Sequence, residues 1–254
     1  MTSGPLPDVT GNWQIQSGPG LQSAERGVVL LGALQSSGKT VSGTFRFADL
    51  VQPFACGLLQ VVAVSGSVDA NRNLTLVSAG LPDGGVLKAR LAVPTAPTTF
   101  ASGTIEVDGG GGCAVASQPA IGVEIPPATG TYGGALTTGT LVTPGAAAGT
   151  ATLTLIQTTV PAGDGQFPVT GTLAYTVGSC TGTVTVSGNA SGVDLDLVSD
   201  PTPSLAMGSV YATLHGTLTP TAAHVSLTTL KIDPSPCSSD VTTSSWFTGT
   251  LTRQ

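Results

Sequence analysis

The chain has 254 residues, with 8 Lys and Arg, 14 Asp and Glu and a net charge of -6 at pH 7; only 9% of residues are charged and 4% aromatic, while 40% are apolar. That balance excludes a highly charged disordered chain, and eight scattered basic residues form no stripe for phosphates, so nucleic acid is not an expected partner. Gly (35) and Pro (18) are abundant, but no Gly-X-Y period runs through them, which excludes collagen.

The leading segment MTSGPLPDVTGNW has neither a basic n-region nor an apolar h-region, so it reads as a mature start behind a removed leader that carried a lipid-anchoring Cys. After an opening Gly11-Asn12-Trp13 strand, the first half predicts strands over VVLLGALQ, TVSGTFRF, LLQVVAVSGSV, NLTLVSA, VLKARLAV and FASGTIEV. The separators SSGK, DANRN, LPDGG and PTAPTT are turn chemistry. In the second half, TATLTLIQTT, PVTGTLAYTV, TGTVTVSG and VDLDLVS alternate apolar residues with Thr, Asp or Tyr, which places one face inward and a hydroxyl-rich face outward. The apolar run from Phe54 to Val64 is well short of the ~20 residues that a spanning helix needs, and no helical period stands out.

The two halves repeat one another. Gly11-Asn12-Trp13 matches Gly130-Thr131-Tyr132; VSGTF from Val41 matches VTGTL from Val169; VSG recurs at Val64 and Val186, LTLVS at Leu74 matches LDLVS at Leu195, and Val107-Asp108 matches Ile232-Asp233. Two homologous units over 1–125 and 126–254 are expected, joined at Pro126-Pro127, each an antiparallel β-barrel or β-sandwich of about eight strands. The four cysteines, Cys56, Cys113, Cys180 and Cys237, form two pairs with the same spacing of 57 residues. No CxxC or CxxH accompanies them, so a disulfide framework is favoured over zinc. Duplication makes Cys56 with Cys113 and Cys180 with Cys237 the simplest of the three pairings. Each closure is worth about 4 kcal/mol in the chain-entropy model and implies an oxidising compartment, outside the cell or in its envelope.

Gly11-Asn12-Trp13 on the first strand of an eight-stranded meander resembles the Gly-x-Trp of lipocalin and avidin barrels, with Tyr132 replacing Trp in the second unit. The wider pattern of GNWQIQ, VSGT and SGS turns, paired cysteines and a closing GTLTRQ is similar to secreted or lipid-anchored β-repeat proteins of the acidobacterial type. That resemblance implies an envelope location and no particular catalytic residues.

Each candidate for chemistry has a simpler reading. Gly38-Lys39-Thr40 suggests a phosphate loop, but position 33 is Ala33 and a strand pattern follows, so a hairpin turn is expected. Asp69, Asn71 and Asn73 start like a calcium loop, yet Leu74 and Gly80 replace the required Gly and Glu. Glu106 with Asp108, and Asp194 with Asp196, each put two carboxylates on one strand face, whereas a glycosidase needs two across a cleft; the pairs fall on different strands of the two repeats, so solvated faces are expected. His215 and His224 sit on neighbouring predicted strands, where a Ser-His-Asp hydrolase site is conceivable, but no G-x-S-x-G or HExxH accompanies them. Trp13 and Trp246 are both expected to pack into the core. No catalytic residue, metal or cofactor is therefore assigned. The expected role is an exported, non-enzymatic surface or binding protein of the cell envelope. Alternatives are a carrier of a small apolar ligand inside calycin-like barrels and a subunit of an extracellular filament or array. The partner is then an unidentified surface partner or a small apolar ligand.

Overall fold

The computed structural model describes residues 6–17, 28–49, 60–81, 84–95, 100–109, 114–139, 144–200, 210–219, 223–232 and 245–254. The chain divides into two compact units, residues 1–126 with 160–166 and residues 127–159 with 167–254. All regular structure among the described residues is β, and it forms two closed antiparallel barrels of eight strands each. Of the expected alternatives of barrel and sandwich, both units are barrels.

The first barrel runs in chain order through β1 (Gly11–Ser17), β2 (Val28–Ser37), β3 (Thr40–Asp49), β4 (Gln60–Val68), β5 (Asn73–Ser78), β6 (Val86–Ala92), β7 (Ala101–Asp108) and β8 (Val115–Ile125). Each strand pairs with the next, and β1 returns to β8 from Asn12 opposite Ile125 to Ser17 opposite Ala120. The second barrel repeats this meander through β9 (Gly130–Gly139), β10 (Pro144–Gln157), β11 (Phe167–Val177), β12 (Cys180–Ser191), β13 (Asp194–Asp200), β14 (Val210–Leu218), β15 (Ala223–Ile232) and β16 (Ser245–Arg253), with β16 closing on β9. The sequence matches between the halves fall on strands of equal rank. Val41 and Val169 lie on the third strand of their barrels, the two VSG segments on the fourth, LTLVS and LDLVS on the fifth, and Val107 and Ile232 on the seventh.

Alternation builds the cores. On β5, Leu74 and Leu76 are buried while Thr75 and Val77 turn outward; on β11, Val169, Leu173 and Tyr175 are buried while Thr170, Thr172 and Thr176 are exposed. The first interior is filled by Trp13, Ile15, Leu30, Leu34, Phe45 and Phe47 with the leucines of β5 and β6, all at 2% exposure or less. This matches the rule that an eight-stranded barrel is just wide enough for side chains to fill. Apolar-in with Thr, Ser and Lys outward is the reverse of a membrane barrel, which needs an apolar outer band. No helix among the described residues is long and apolar enough to cross a membrane.

Curvature needs glycine at close approaches. A Cβ at Gly66 would lie 1.7 Å from the Thr75 carbonyl oxygen, and one at Gly188 would lie 1.9 Å from that of Asp196. These are the glycines of the two VSG segments, so the repeat preserves the place where the fourth strand bends against the fifth.

Candidate functional site

Two features stand out from the barrel frame: the plug at one end of each barrel, and the outer face of β10–β12. The plug begins at the Gly-x-aromatic triplets. Gly11 and Gly130 adopt φ of 153° and 155°, backbone that favours glycine. Two residues on, Trp13 is buried at 2% exposure and its Nε1 donates to the Val9 carbonyl at 2.9 Å. Tyr132 is fully buried, and its hydroxyl donates to the Ala128 carbonyl at 2.7 Å. Both rings thus reach back four residues to cap the chain that leads into the barrel, and each satisfies its one polar handle there.

The residue opposite that ring on the last strand differs in charge. Trp13 faces Glu124 of β8, and Tyr132 faces Arg253 of β16. The slots are equivalent: a Cβ at Gly11 would meet Glu124 Oε1 at 3.2 Å, and one at Gly130 would meet Arg253 Nε at 3.0 Å. In the second barrel the Arg253 guanidinium lies 5.6 Å from the Tyr132 ring centroid and donates through Nη2 to the Pro127 carbonyl at 2.7 Å and to the Thr129 carbonyl. Burial pushes the Tyr132 phenol up, with Arg253 opposing. In the first barrel, burial pushes the half-buried Glu124 carboxyl above the ordinary range, and the nearby Asp8 charge adds to the rise. Asp8 itself is held low, first by the Ser36 hydroxyl at 2.7 Å and then by Thr10, whose backbone N–H donates at 2.9 Å.

The second feature is a hydroxyl grid. On its outer side β10 carries Thr150, Thr152 and Thr154; β12 carries Thr181, Thr183 and Thr185; and β11 between them carries Thr170, Thr172 and Thr176, all exposed. Direct pairing aligns them in rows. Thr150, Thr176 and Thr181 form one row, Thr154, Thr172 and Thr185 another, and Ala174 sits between Thr152 and Thr183. Register holds without a break through both pairings, unlike the β9–β10, β14–β15 and β15–β16 pairings. The backbone repeat is about 4.8 Å across strands and about 6.8 Å along them, and the curvature of the closed barrel splays the outward hydroxyls wider across strands than the backbone. Two shallow grooves cross this face, one dipping over Ala174 between Thr152 and Thr183, the other between Thr154, Thr172 and Thr185.

The residues singled out from sequence fall as follows. Gly38, at φ 61°, and Lys39 form the β2–β3 turn, and the strand expected after them is β3. Asp69 accepts the backbone and side-chain N–H groups of Asn73, both at 2.9 Å, which lower its carboxyl; the loop uses its own donors to satisfy the carboxylate. Glu106 and Asp108 share Lys88 of the neighbouring strand, with Glu106 at 3.7 Å. The Asp194–Asp196 pair is divided, because Asp196 meets His215 Nδ1 across β13 and β14 on an exposed surface. Ser226 of β15 is opposite His215 in register, while His224 pairs with Thr217 and Thr252. The structure therefore does not join the two histidines in one row. Among the described residues, no group of three or more His, Cys, Asp or Glu gathers as a metal site.

Trp246 corrects the expectation of a second core tryptophan. It is 54% exposed, and its neighbour Phe247 is buried at 3%, because the period of two on a strand admits only one of two adjacent aromatics to the interior. Of the cysteines, Cys180 opens β12 and is buried at 7% exposure; Cys56, Cys113 and Cys237, and with them both expected pairings, lie outside the described residues. Sequence reasoning did not pick out Glu124 or Arg253. The available signal was a lone charge ending an apolar strand, IGVEI and GTLTR, a pattern too common to point to a site. Comparison with protein-family models and with curated proteins found no match.

Proposed function

We propose that the chain is an exported, non-enzymatic surface or binding module of the cell envelope, built from two barrels of the lipocalin and avidin type. Each is closed by one disulfide, Cys56 with Cys113 and Cys180 with Cys237. The observation that carries the binding reading is the outer face of β10–β12, where nine threonines stand exposed in unbroken register. A face with this much exposed side chain and no charge is a contact surface in search of a neutral partner.

Two further observations favour this reading over its alternatives. The first interior is filled by aromatic and leucine side chains, which leaves the outside for contact. Both sheets close on themselves, so the free strand edges on which a filament would grow by strand addition are not offered. The disulfide pairing is supported by chain order. Cys56 falls between β3 and β4 and Cys113 between β7 and β8; Cys180 begins the fourth strand of its barrel and Cys237 falls between the seventh and eighth. In an up-and-down meander, the third-to-fourth and seventh-to-eighth connections lie at the same end, so each pair would tie opposite sides of one rim.

Surface labelling of intact native cells with a membrane-impermeant amine reagent, followed by fractionation, tests the location. Labelled protein in the envelope or medium is the expected result. Protein that is unlabelled on intact cells and recovered with cytosolic enzymes would overturn the proposal.

A further inference from the structure

We infer that the outer face of β13–β15 holds a transition-metal dication of the zinc and copper class between the imidazoles of His215 and His224, with Asp196 orienting the first of them. Register makes the cluster. Asp196 of β13, His215 of β14 and Ser226 of β15 stand directly opposite one another in one row, and Asp194, Thr217 and His224 stand in the next. His224 is therefore the diagonal neighbour of His215, and diagonal positions on paired strands lie about 7–8 Å apart, within reach of aromatic side chains. His215 and Thr217 are exposed, and His224 pairs directly with Thr217 and precedes the buried Val225, so these positions belong to the outer face. Two imidazoles across that span can both reach one ion at about 2.0–2.1 Å from a ring nitrogen of each.

The contact between Asp196 and His215 points to a ligand. The Asp196 carboxylate meets Nδ1 of His215, which places the proton of the neutral ring on Nδ1 and the lone pair on Nε2. A metal-ligating histidine is held in this way by a carboxylate that fixes its tautomer and ring orientation and raises its basicity. The His215 side chain is 64% exposed, so the ring is accessible to an ion from solvent. Asp194, the other diagonal neighbour of His215, adds a second carboxylate whose charge favours a cation. Imidazole suits zinc, copper and nickel, whereas magnesium and calcium prefer oxygen. Ser226 beside His215 completes the order of a nucleophilic triad, but β13–β15 are each paired on both sides, which commits their backbone N–H groups to the ladder and leaves no oxyanion donors there.

The first barrel supplies a control in the same fold. By the match of LTLVS with LDLVS, Thr75 takes the place of Asp196 and Asn73 that of Asp194. Arg90, opposite Thr75, then takes the place of His215, and Ser102, opposite Ala92 in the next row, that of His224. One copy of the repeat carries the ligand set, and the other carries a fixed positive charge at its centre.

Isothermal titration of the purified, non-reduced and thiol-blocked full chain with zinc chloride tests this. Saturable binding of one zinc ion per chain is expected, and long-range proton–nitrogen NMR of the imidazoles should show zinc moving the Nε2 resonance of His215 while Nδ1 keeps its proton. His215→Ala and His224→Ala should each weaken binding by about tenfold or more. Asp196→Ala should weaken it about tenfold through the lost orienting bond, and Asp196→Asn, which keeps an acceptor for the Nδ1 proton, should retain most of the affinity. Arg90→Ala, in the equivalent place of the first barrel, should leave it unchanged. Circular dichroism and melting curves confirm that each variant is folded. No saturable binding to the folded natural chain, or equal affinity in either histidine variant, would overturn the inference; equal affinity in Asp196→Ala would overturn the orienting role given to that residue. None of these outcomes depends on where the protein resides, so the envelope proposal stands or falls separately.

Discussion

The two barrels share an interior and differ at their surfaces. Both use eight strands in the same order, a Gly-x-aromatic plug that bonds back four residues, and a glycine where the fourth strand bends against the fifth. Yet the slot beside the plug holds Glu124 in one and Arg253 in the other, and the outer face of the second to fourth strands is mixed in one and a threonine grid in the other. Packing constrains inward positions in every copy of such a fold, while outward positions are free to take on a role. The difference between the two copies therefore lies on their outer faces and beside the plug, while the inward pattern is common to both.

The shared features should break alike, and the divergent ones separately. The largest effect is expected from Trp13→Ala, which empties a buried aromatic site and should cost about 3–5 kcal/mol. Tyr132→Phe in the equivalent place removes only the hydroxyl bond to Ala128 and should cost about 1–2 kcal/mol. Urea unfolding read by hydrogen exchange would assign each loss to its own barrel; losses that spread equally over both would contradict the separation. Next come Gly66→Ala and Gly188→Ala, each forcing a methyl against a neighbouring carbonyl. Both should lose about 1–3 kcal/mol, and similar losses would show that the bend is equivalent in the two copies. Arg253→Ala removes the cation–π contact and two carbonyl bonds at an exposed site, a loss on the order of 1 kcal/mol that Arg253→Lys should only partly restore, since Lys lacks the planar fork.

The smallest expected effect is also the most specific. Glu124 has a folded pKa raised above the ordinary 4.5, so the folded chain holds its proton more tightly than the unfolded chain does. The contribution of Glu124 is therefore fully present below that ordinary value and is lost as pH rises through the raised one. Asp8 acts in the opposite sense: with its carboxyl lowered from 3.8, its contribution is present above that value and lost in stronger acid. Denaturation of the natural chain and of Glu124→Gln across this range should differ, with the variant gaining stability at neutral pH and losing the acid-side rise. Parallel profiles would place Glu124 in ordinary solvent.

Much of this was legible in sequence because it is local. The alternation in TATLTLIQ sets which side chains of β10 face inward, and the two VSG segments landed on strands of equal rank. Closure was not legible, since it rests on pairing such as Trp13 opposite Glu124, across more than a hundred residues, which no alternation encodes. The same distance hid the charge beside each plug. The grid was half visible: a Thr-rich outward face follows from the pattern of β10–β12, but its rows exist only once the register between strands is known. Trp246 was misplaced because both members of the Trp246-Phe247 pair are apolar, and only the strand's phase decides which one enters.

The proposal that each closed barrel is stapled by its own disulfide is tested most directly by peptide mapping of the non-reduced, thiol-blocked full chain purified from its native source. Linked peptides joining Cys56 to Cys113 and Cys180 to Cys237 are the predicted result. Free thiols, or a link between a cysteine of the first barrel and one of the second, would contradict it.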